Sequence, residues 1–318
     1  MSKYMVINDL HLASAPPLGR QESYLDDVLL KLAECWQIAA DQQCDFVVQT
    51  GDIHHKFRGA AATPFLLVRE IEVFSKAPCP VYAIPGNHDL RYSGLDSIWE
   101  TPFGVLVKSG VIRWLQKAEV VGDILLIPRP WEMYIDTLPH IFKLKKHEVE
   151  MRPKGGYTTM VAHASIVPPG EDRIYAHHQA DKLPTELLNI LHAGHLHEDL
   201  GIHQLPSGCW FTNIGALTRV ERTKHNLERT PEVLTVTLDH GEIEFERHPL
   251  TSARPAEEVF FEQEVATERE LTDFMDNLAT DLELEDTPIE ELVARYTKDD
   301  PKEVVAKLRY YLTEAEED

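Results

Sequence analysis

Five short apolar runs constrain this chain more than any other feature, because each ends in residues that bind metals or move protons. Residues 3–8 (Lys-Tyr-Met-Val-Ile-Asn) lead into Asp9-Leu10-His11, and Phe46-Val47-Val48 into Gly51-Asp52. Val81 to Ile84 leads into Gly86-Asn87-His88-Asp89, Thr158 to Ala162 into His163, and Leu188 to His192 into Gly194-His195-Leu196-His197. Between the first two runs, Leu25, Val28, Leu29, Leu32, Trp36 and Ala39 recur at helical spacing over Glu22 to Gln42, and a second helix is predicted around 63–76. Strands alternating with helices imply βαβ units and a mainly parallel α/β sheet. Sites in such sheets gather in the loops beyond the carboxyl ends of the strands, so five such loops converge on one crevice. Further on, Cys209 to Val220, Glu232 to Leu238, the turn Asp239-His240-Gly241-Glu242 and Ile243 to Phe245 read as a second sheet that completes the core.

A single Asp-x-His tripeptide carries almost no information, but the ordered set does. Carboxylate, amide oxygen and imidazole donors suit two adjacent divalent ions such as manganese, iron or zinc, with one carboxylate bridging. Two cations about 3.5–4 Å apart lower the pKa of water and stabilise the entering and leaving oxygens of an in-line displacement at phosphorus. The chemistry indicated is phosphoester hydrolysis.

These motifs, in this order, resemble the calcineurin-like metallophosphoesterases over about residues 3–220. The resemblance implies a four-layer α/β/β/α sandwich with a small helical C-terminal region. It implies that Asp9, His11, Asp52 and His197 hold one metal, with Asp52 bridging, and that Asn87, His163 and His195 complete the second. His88 is then a catalytic group above the metals, with Asp89 fixing its orientation. The flank Gly51-Asp52-Ile53-His54-His55-Lys56-Phe57-Arg58 is similar to the corresponding segment of the SbcD-type DNA-repair exonucleases, where the added histidine, here His55, is a second catalytic group that binds no metal. Gly94-Leu95-Asp96-Ser97-Ile98 and Leu183-Pro184-x-x-Leu187 resemble the same family, whereas His54 stands where an apolar residue is more usual. The capping region is also shorter, closer to phage recombination endonuclease subunits. By this resemblance the activity is a manganese-dependent DNA exo- or endonuclease, dimeric, partnered by an SMC-like, SbcC-like coiled-coil ATPase. The alternative is a phosphodiesterase or phosphatase acting on nucleotides or other small phosphoesters. A non-catalytic scaffold is disfavoured by the complete set of ligand types.

Charge bears on the substrate. The 31 basic and 53 acidic residues give a net −22, which taken alone argues against nucleic acid. Residues 251–318 carry 21 acidic and 7 basic side chains, so the excess is concentrated in the tail and the first 250 residues stand at −8. Two divalent ions add about four positive charges to the crevice. Lys56, Arg58, Arg91, Arg219 and Arg222 are the candidates for phosphate contacts. His177, His178, His192 and His203 are read as hydrogen-bonded or solvated side chains outside the site.

Two domains are expected, a catalytic one over 1–250 and an acidic region over 251–318. The latter has one amphipathic segment, Glu268 to Leu282, and two capped helix starts at Thr287-Pro288 and Asp300-Pro301, suited either to packing on their own domain or, as the resemblance implies, to docking the ATPase. Four cysteines without paired spacing argue against a disulfide framework. No apolar run reaches the roughly 18 residues that a membrane span needs, so the expected location is cytoplasmic.

Overall fold

The computed structural model describes residues 1–17, 19–56, 62–91 and 94–261, which belong to one unit, Met1–Phe261. Its elements in chain order are β1 (Ser2–Ile7), α1 (Tyr24–Asp41), β2 (Phe46–Gln49), α2 (Pro64–Phe74), β3 (Val81–Ala83), α3 (Pro102–Ser109), β4 (Arg113–Trp114), β5 (Glu119–Val121), β6 (Ile124–Arg129), α4 (Lys146–Glu150), β7 (Tyr157–His163), β8 (Ile166–Val167), β9 (His178–Gln179), β10 (Ile190–Gly194), β11 (Asp199–Gln204), β12 (Trp210–Ile214), α5 (Lys224–Glu228), β13 (Glu232–Asp239), β14 (Glu242–Pro249) and α6 (Ala256–Val259). Both helices expected in the first 76 residues are present. α2 begins where the Thr63 hydroxyl accepts the Leu66 amide and Pro64 takes the first helical turn.

The strands form two six-stranded sheets, ordered β14-β13-β1-β2-β3-β4 and β11-β12-β10-β7-β6-β5. β1 to β4 are parallel, as are β6, β7, β10 and β12. The hairpin expected to build the second sheet instead extends the first: β13 runs antiparallel to β1, with Met5 opposite Thr235. The second sheet grows around β7 and β10. Both are buried along their whole length, as is β2, so hydrophobic pattern alone could not say which sheet each joins.

Side-chain alternation creates the layers. Along β1, Met5 and Ile7 face α1 to α3, whereas Tyr4 and Val6 face the other sheet. Along β6, Ile124 and Leu126 meet them there, and Leu125 and Ile127 point outward to pack with Phe142 and Leu144. Tyr4 stacks on Phe46 at 4.9 Å between the sheets, and its hydroxyl meets His192 Nε2 at 2.8 Å. The outer layer on the second sheet is thinner, made of α4 and irregular turns. It is fastened by Arg129, whose guanidinium donates to both Glu148 oxygens at 3.0 and 2.9 Å while both residues are buried. The result is the layered α/β sandwich expected.

Residues 251–261, assigned by composition to the tail, are fastened to the catalytic unit. Glu34 on α1 accepts the Thr251 and Ser252 amides, each at 2.8 Å, and Arg20 Nε donates to the Val259 carbonyl at 2.9 Å. The amphipathic segment and the two helix starts expected beyond 265 lie outside the described residues. All four cysteines are free. No helix among the described residues is long and apolar enough to cross a membrane.

Candidate metal centre

Both sheets deliver their strand ends to one place. Asp9 and His11 follow β1, Asp52 follows β2, and Asn87 and His88 follow β3; His163 ends β7, and His195 and His197 follow β10. Hydrogen bonds lock the two groups together: Asn8 Nδ2 donates to the Ala193 carbonyl at 3.0 Å and the His195 amide donates to Asp9 Oδ1 at 2.9 Å. Tyr24 on α1 donates to the His11 carbonyl at 2.6 Å from behind.

The backbone is bent to make this possible. Asp9, His11, Asp52 and His195 all adopt positive φ, at 21°, 49°, 53° and 92°. Such conformations cost about 1–3 kcal/mol each and persist where surrounding contacts enforce them. Two glycines permit the close approach. A Cβ on Gly51, itself at φ 112°, would sit 2.2 Å from His163 Nδ1, and one on Gly86 would sit 2.1 Å from Asp52 Oδ1.

The expected donors other than Asn87 fall into two overlapping sets, Asp9 with His11, Asp52 and His197, and Asp52 with His163 and His195, and a further set joins His11 to His55 and His88; within each set the donor atoms lie within 4.8 Å of one another. Asp52 is common to the first two. Its Oδ2 is 3.3 Å from His163 Nε2 and 3.8 Å from His11 Nε2, while its Oδ1 accepts the His88 amide at 3.0 Å. Asn87 Oδ1 lies 3.2 Å from His163 Nε2, which places it on the second set. All seven residues expected as ligands are therefore brought together.

The donor set fits a pair of divalent cations. Asp9 Oδ2 and Asp52 Oδ2 are buried without any hydrogen-bond partner, a costly state that a cation relieves. Burial pushes the pKa of His195 down to about 4 and of His197 to about 3, and holds His11 well below the usual imidazole value, so all three present neutral lone pairs. Burial also raises Asp9, to about 7. It acts in the same direction on Asp52, but His163, His88 and His11 outweigh it and hold that carboxyl well below the usual range. His163 Nδ1 lies 2.9 Å from the Thr50 carbonyl, which directs Nε2 into the centre.

His88 overlooks the first set, with its ring centroid 5.1 Å from that of His11. Its Nδ1 donates to the His55 carbonyl, so Nε2 is the ring nitrogen outside that bond. Asp89, expected to fix the orientation of His88, makes no hydrogen bond to its ring. Both Asp89 oxygens are taken by other donors: the Ile53, His54 and Gly86 amides and the His54 ring. The His55 ring stacks beside His88 at 5.7 Å. Burial, reinforced by His88 and Lys56, lowers its pKa to about 3.

The cations expected to meet phosphates fare unevenly. Lys56 is close enough to act on His55, Arg222 is exposed, and Arg58 lies outside the described residues. Arg91 pairs with Glu100 at 2.7 Å. Arg219 is a correction: it is 5% exposed, and its guanidinium donates to the Arg254 carbonyl, so it fastens the chain's return past α1 and is not offered to a substrate. Of the histidines read as outside the site, His177, His178 and His203 bond to backbone carbonyls, and His192 bridges Tyr4 and Thr212. The sequence reading missed Asn213, whose Nδ2 donates to the Leu196 carbonyl at 3.0 Å and steadies the loop bearing His197. Its place at the end of a strand, just before Ile214-Gly215, was the available signal.

The family model for calcineurin-like phosphoesterases matches residues 2–199. Among solved structures, a dimetal phosphatase from Danio rerio aligns at a TM-score of 0.51 and 13% identity, over 78% of this chain and 96% of that one. TT1561 of Thermus thermophilus aligns at a TM-score of 0.49 and 11% identity, over 77% and 98%. At such identity the first of these supports the fold alone. No curated protein matches the sequence.

Proposed function

The chain belongs to the calcineurin-like phosphoesterase family, and from that premise we propose that it is a two-metal phosphodiesterase that cuts DNA. The observation that carries this reading is Asp52, whose unpartnered buried Oδ2 faces imidazoles of both donor sets. In the proposed centre Asp9, His11, Asp52 and His197 hold one cation, and Asp52, Asn87, His163 and His195 the other. When bound, such a pair supplies Lewis acidity and lowers the pKa of water towards neutrality. The remaining work falls to the chain. Its two sheets fix the donors, and His88 gives a proton from Nε2 to the leaving oxygen while the His55 carbonyl holds its Nδ1.

DNA as substrate is supported by the segment from Gly51 to Lys56, which places His55 beside His88 with Lys56 close by. Manganese suits a centre built from oxygen and imidazole donors without thiolate. We further assign the active form as a cytoplasmic homodimer that works with an SMC-like coiled-coil ATPase through residues beyond 265. Truncation at 265 then abolishes co-purification with that ATPase and spares metal-dependent hydrolysis; an unchanged complex refutes the assignment.

The burial of Arg219 and the pairing of Arg91 favour a second reading, in which the substrate is a nucleotide or another small phosphoester. An end-labelled linear duplex incubated with Mn(II) decides between them, with bis(p-nitrophenyl) phosphate in parallel and the His88→Ala chain as contamination control. Degradation of the duplex by the wild type alone is the expected result. Hydrolysis of the small diester without any cutting of DNA, even with the ATPase present, moves the assignment to small substrates.

A further inference from the structure

His54 occupies a fully buried position between two carboxylates from different elements. Its Nδ1 is 2.8 Å from Asp89 Oδ1, and its Nε2 is 3.3 Å from Oε2 of Glu70, a residue on α2 that is itself fully buried. An apolar side chain here would leave the buried Glu70 carboxylate without its partner and take one donor from Asp89, so the ring belongs to a polar network that joins α2 to two loops of the centre. Asp89 carries the influence of the ring beyond its own loop. Its Oδ2 accepts the Ile53 amide at 3.2 Å and the Gly86 amide at 3.0 Å, and its Oδ1 accepts the His54 amide at 3.0 Å together with the ring. One carboxylate thus clamps the loop after β2 to the turn after β3, and the angle of that clamp depends on the ring donating to Oδ1. Asn87 and His88 follow Gly86 directly. They place Asn87 Oδ1 3.2 Å from His163 Nε2 and the His88 amide 3.0 Å from Asp52 Oδ1.

We propose that His54 is a positioning residue whose Nδ1–H, acting through Asp89, sets the Asn87–His88 turn against Asp52 and so tunes the Asn87, His163 and His195 side of the centre. The inference rests on the two-metal reading given above. It assigns the work to one ring nitrogen, which makes it separable from a merely structural role. An asparagine amide nitrogen sits where Nδ1 does, one bond beyond Cγ, and keeps the bond to Asp89. A glutamine amide nitrogen reaches instead to the Nε2 position and keeps the bond to Glu70.

The test compares His54→Asn with His54→Gln by Mn(II) titration and by steady-state hydrolysis of bis(p-nitrophenyl) phosphate, well below the melting temperature of each. His54→Gln weakens the weaker Mn(II) equivalent by about 10–100-fold, the usual cost of losing a partner that orients a ligand, and lowers kcat by a similar factor with KM unchanged. His54→Asn stays within about threefold of wild type in both. Equal losses in the two variants, or none in His54→Gln, overturn the proposal. Should the amide variants not fold, the wild-type chain provides a second test by hydrogen exchange on loading with Zn(II). The Ile53, His54 and Gly86 amides and the His54 ring N–H slow together if the clamp responds to the centre; exchange that ignores the metal overturns it. A wild type that binds two Mn(II) without hydrolysing the diester defeats the phosphodiesterase reading alone, and the affinity comparison still judges His54. Failure to take up Mn(II) at all defeats both.

Discussion

Asp52→Asn strips the centre of both cations and lowers diester hydrolysis by more than about a thousandfold, because it removes at once the Lewis acidity and the activation of water that depend on them. The substitution is nearly isosteric, and the amide oxygen still accepts the His88 N–H that Oδ1 now holds at 3.0 Å. What disappears is the negative charge shared between the donor sets. Asp9 is then the only carboxylate left among His11, His163, His195 and His197. One carboxylate is too little charge to keep two divalent ions adjacent. The metal-free variant melts below the metal-free wild type, because the imidazoles that hold the Asp52 carboxyl well below its usual pKa lose their counter-charge; titration below the melting temperature of the variant separates loss of metal from loss of fold. Isothermal titration with Mn(II) and the initial rate of diester hydrolysis check the expectation. Two equivalents bound at wild-type affinity would falsify the bridging assignment.

His88→Ala produces a different failure. Both cations remain, since His88 is 3.0 Å from Asp52 only through its main-chain N–H, which alanine retains. The rate falls by about 10²–10⁴-fold, the range expected when a positioned proton donor is removed. Its dependence on the leaving group identifies the role. A nitrophenolate departs with little need of a proton, whereas the alkoxide released from a DNA strand needs one. The loss is therefore steeper on DNA than on bis(p-nitrophenyl) phosphate, and it is accompanied by unchanged Mn(II) stoichiometry. Equal losses on the two substrates point to general electrostatic stabilisation in place of proton transfer, and wild-type turnover removes His88 from the mechanism.

The chemistry was legible in the sequence because all seven donors sit at or just beyond strand ends, where the order of the chain is also the order of the site. α1 and α2 were legible for a similar reason, since their apolar spacing is local. Three matters were not. β7 and β10 are buried on both faces, so their pattern does not name the sheet they join, and the hairpin of β13 and β14 was accordingly given to the wrong one. Asp89 follows His88 directly, which invited a local partnership. Its carboxylate reaches instead across 35 and 36 positions to the amides of His54 and Ile53, a bond that only the meeting of two loops creates. Arg219 reads as a surface cation in any linear scan. Its burial depends on residues 251–261 returning over α1, which composition had assigned to the tail.

The position of β1 has a consequence for how the molecule is made. It lies at the middle of its sheet, paired on one side with β2, which has emerged by Gln49, and on the other with β13, which is complete only at Asp239. A ribosome adding about 5–20 residues per second needs roughly ten to forty seconds to close that gap. Throughout that time β1 carries an unpaired edge next to the loop that bears Asp9 and His11. Long-range pairing of this kind is slow to form. Overproduced chains stalled or cleaved before residue 232 therefore collect in the insoluble fraction, and chaperone demand is set by the distance between the first strand and its last neighbour.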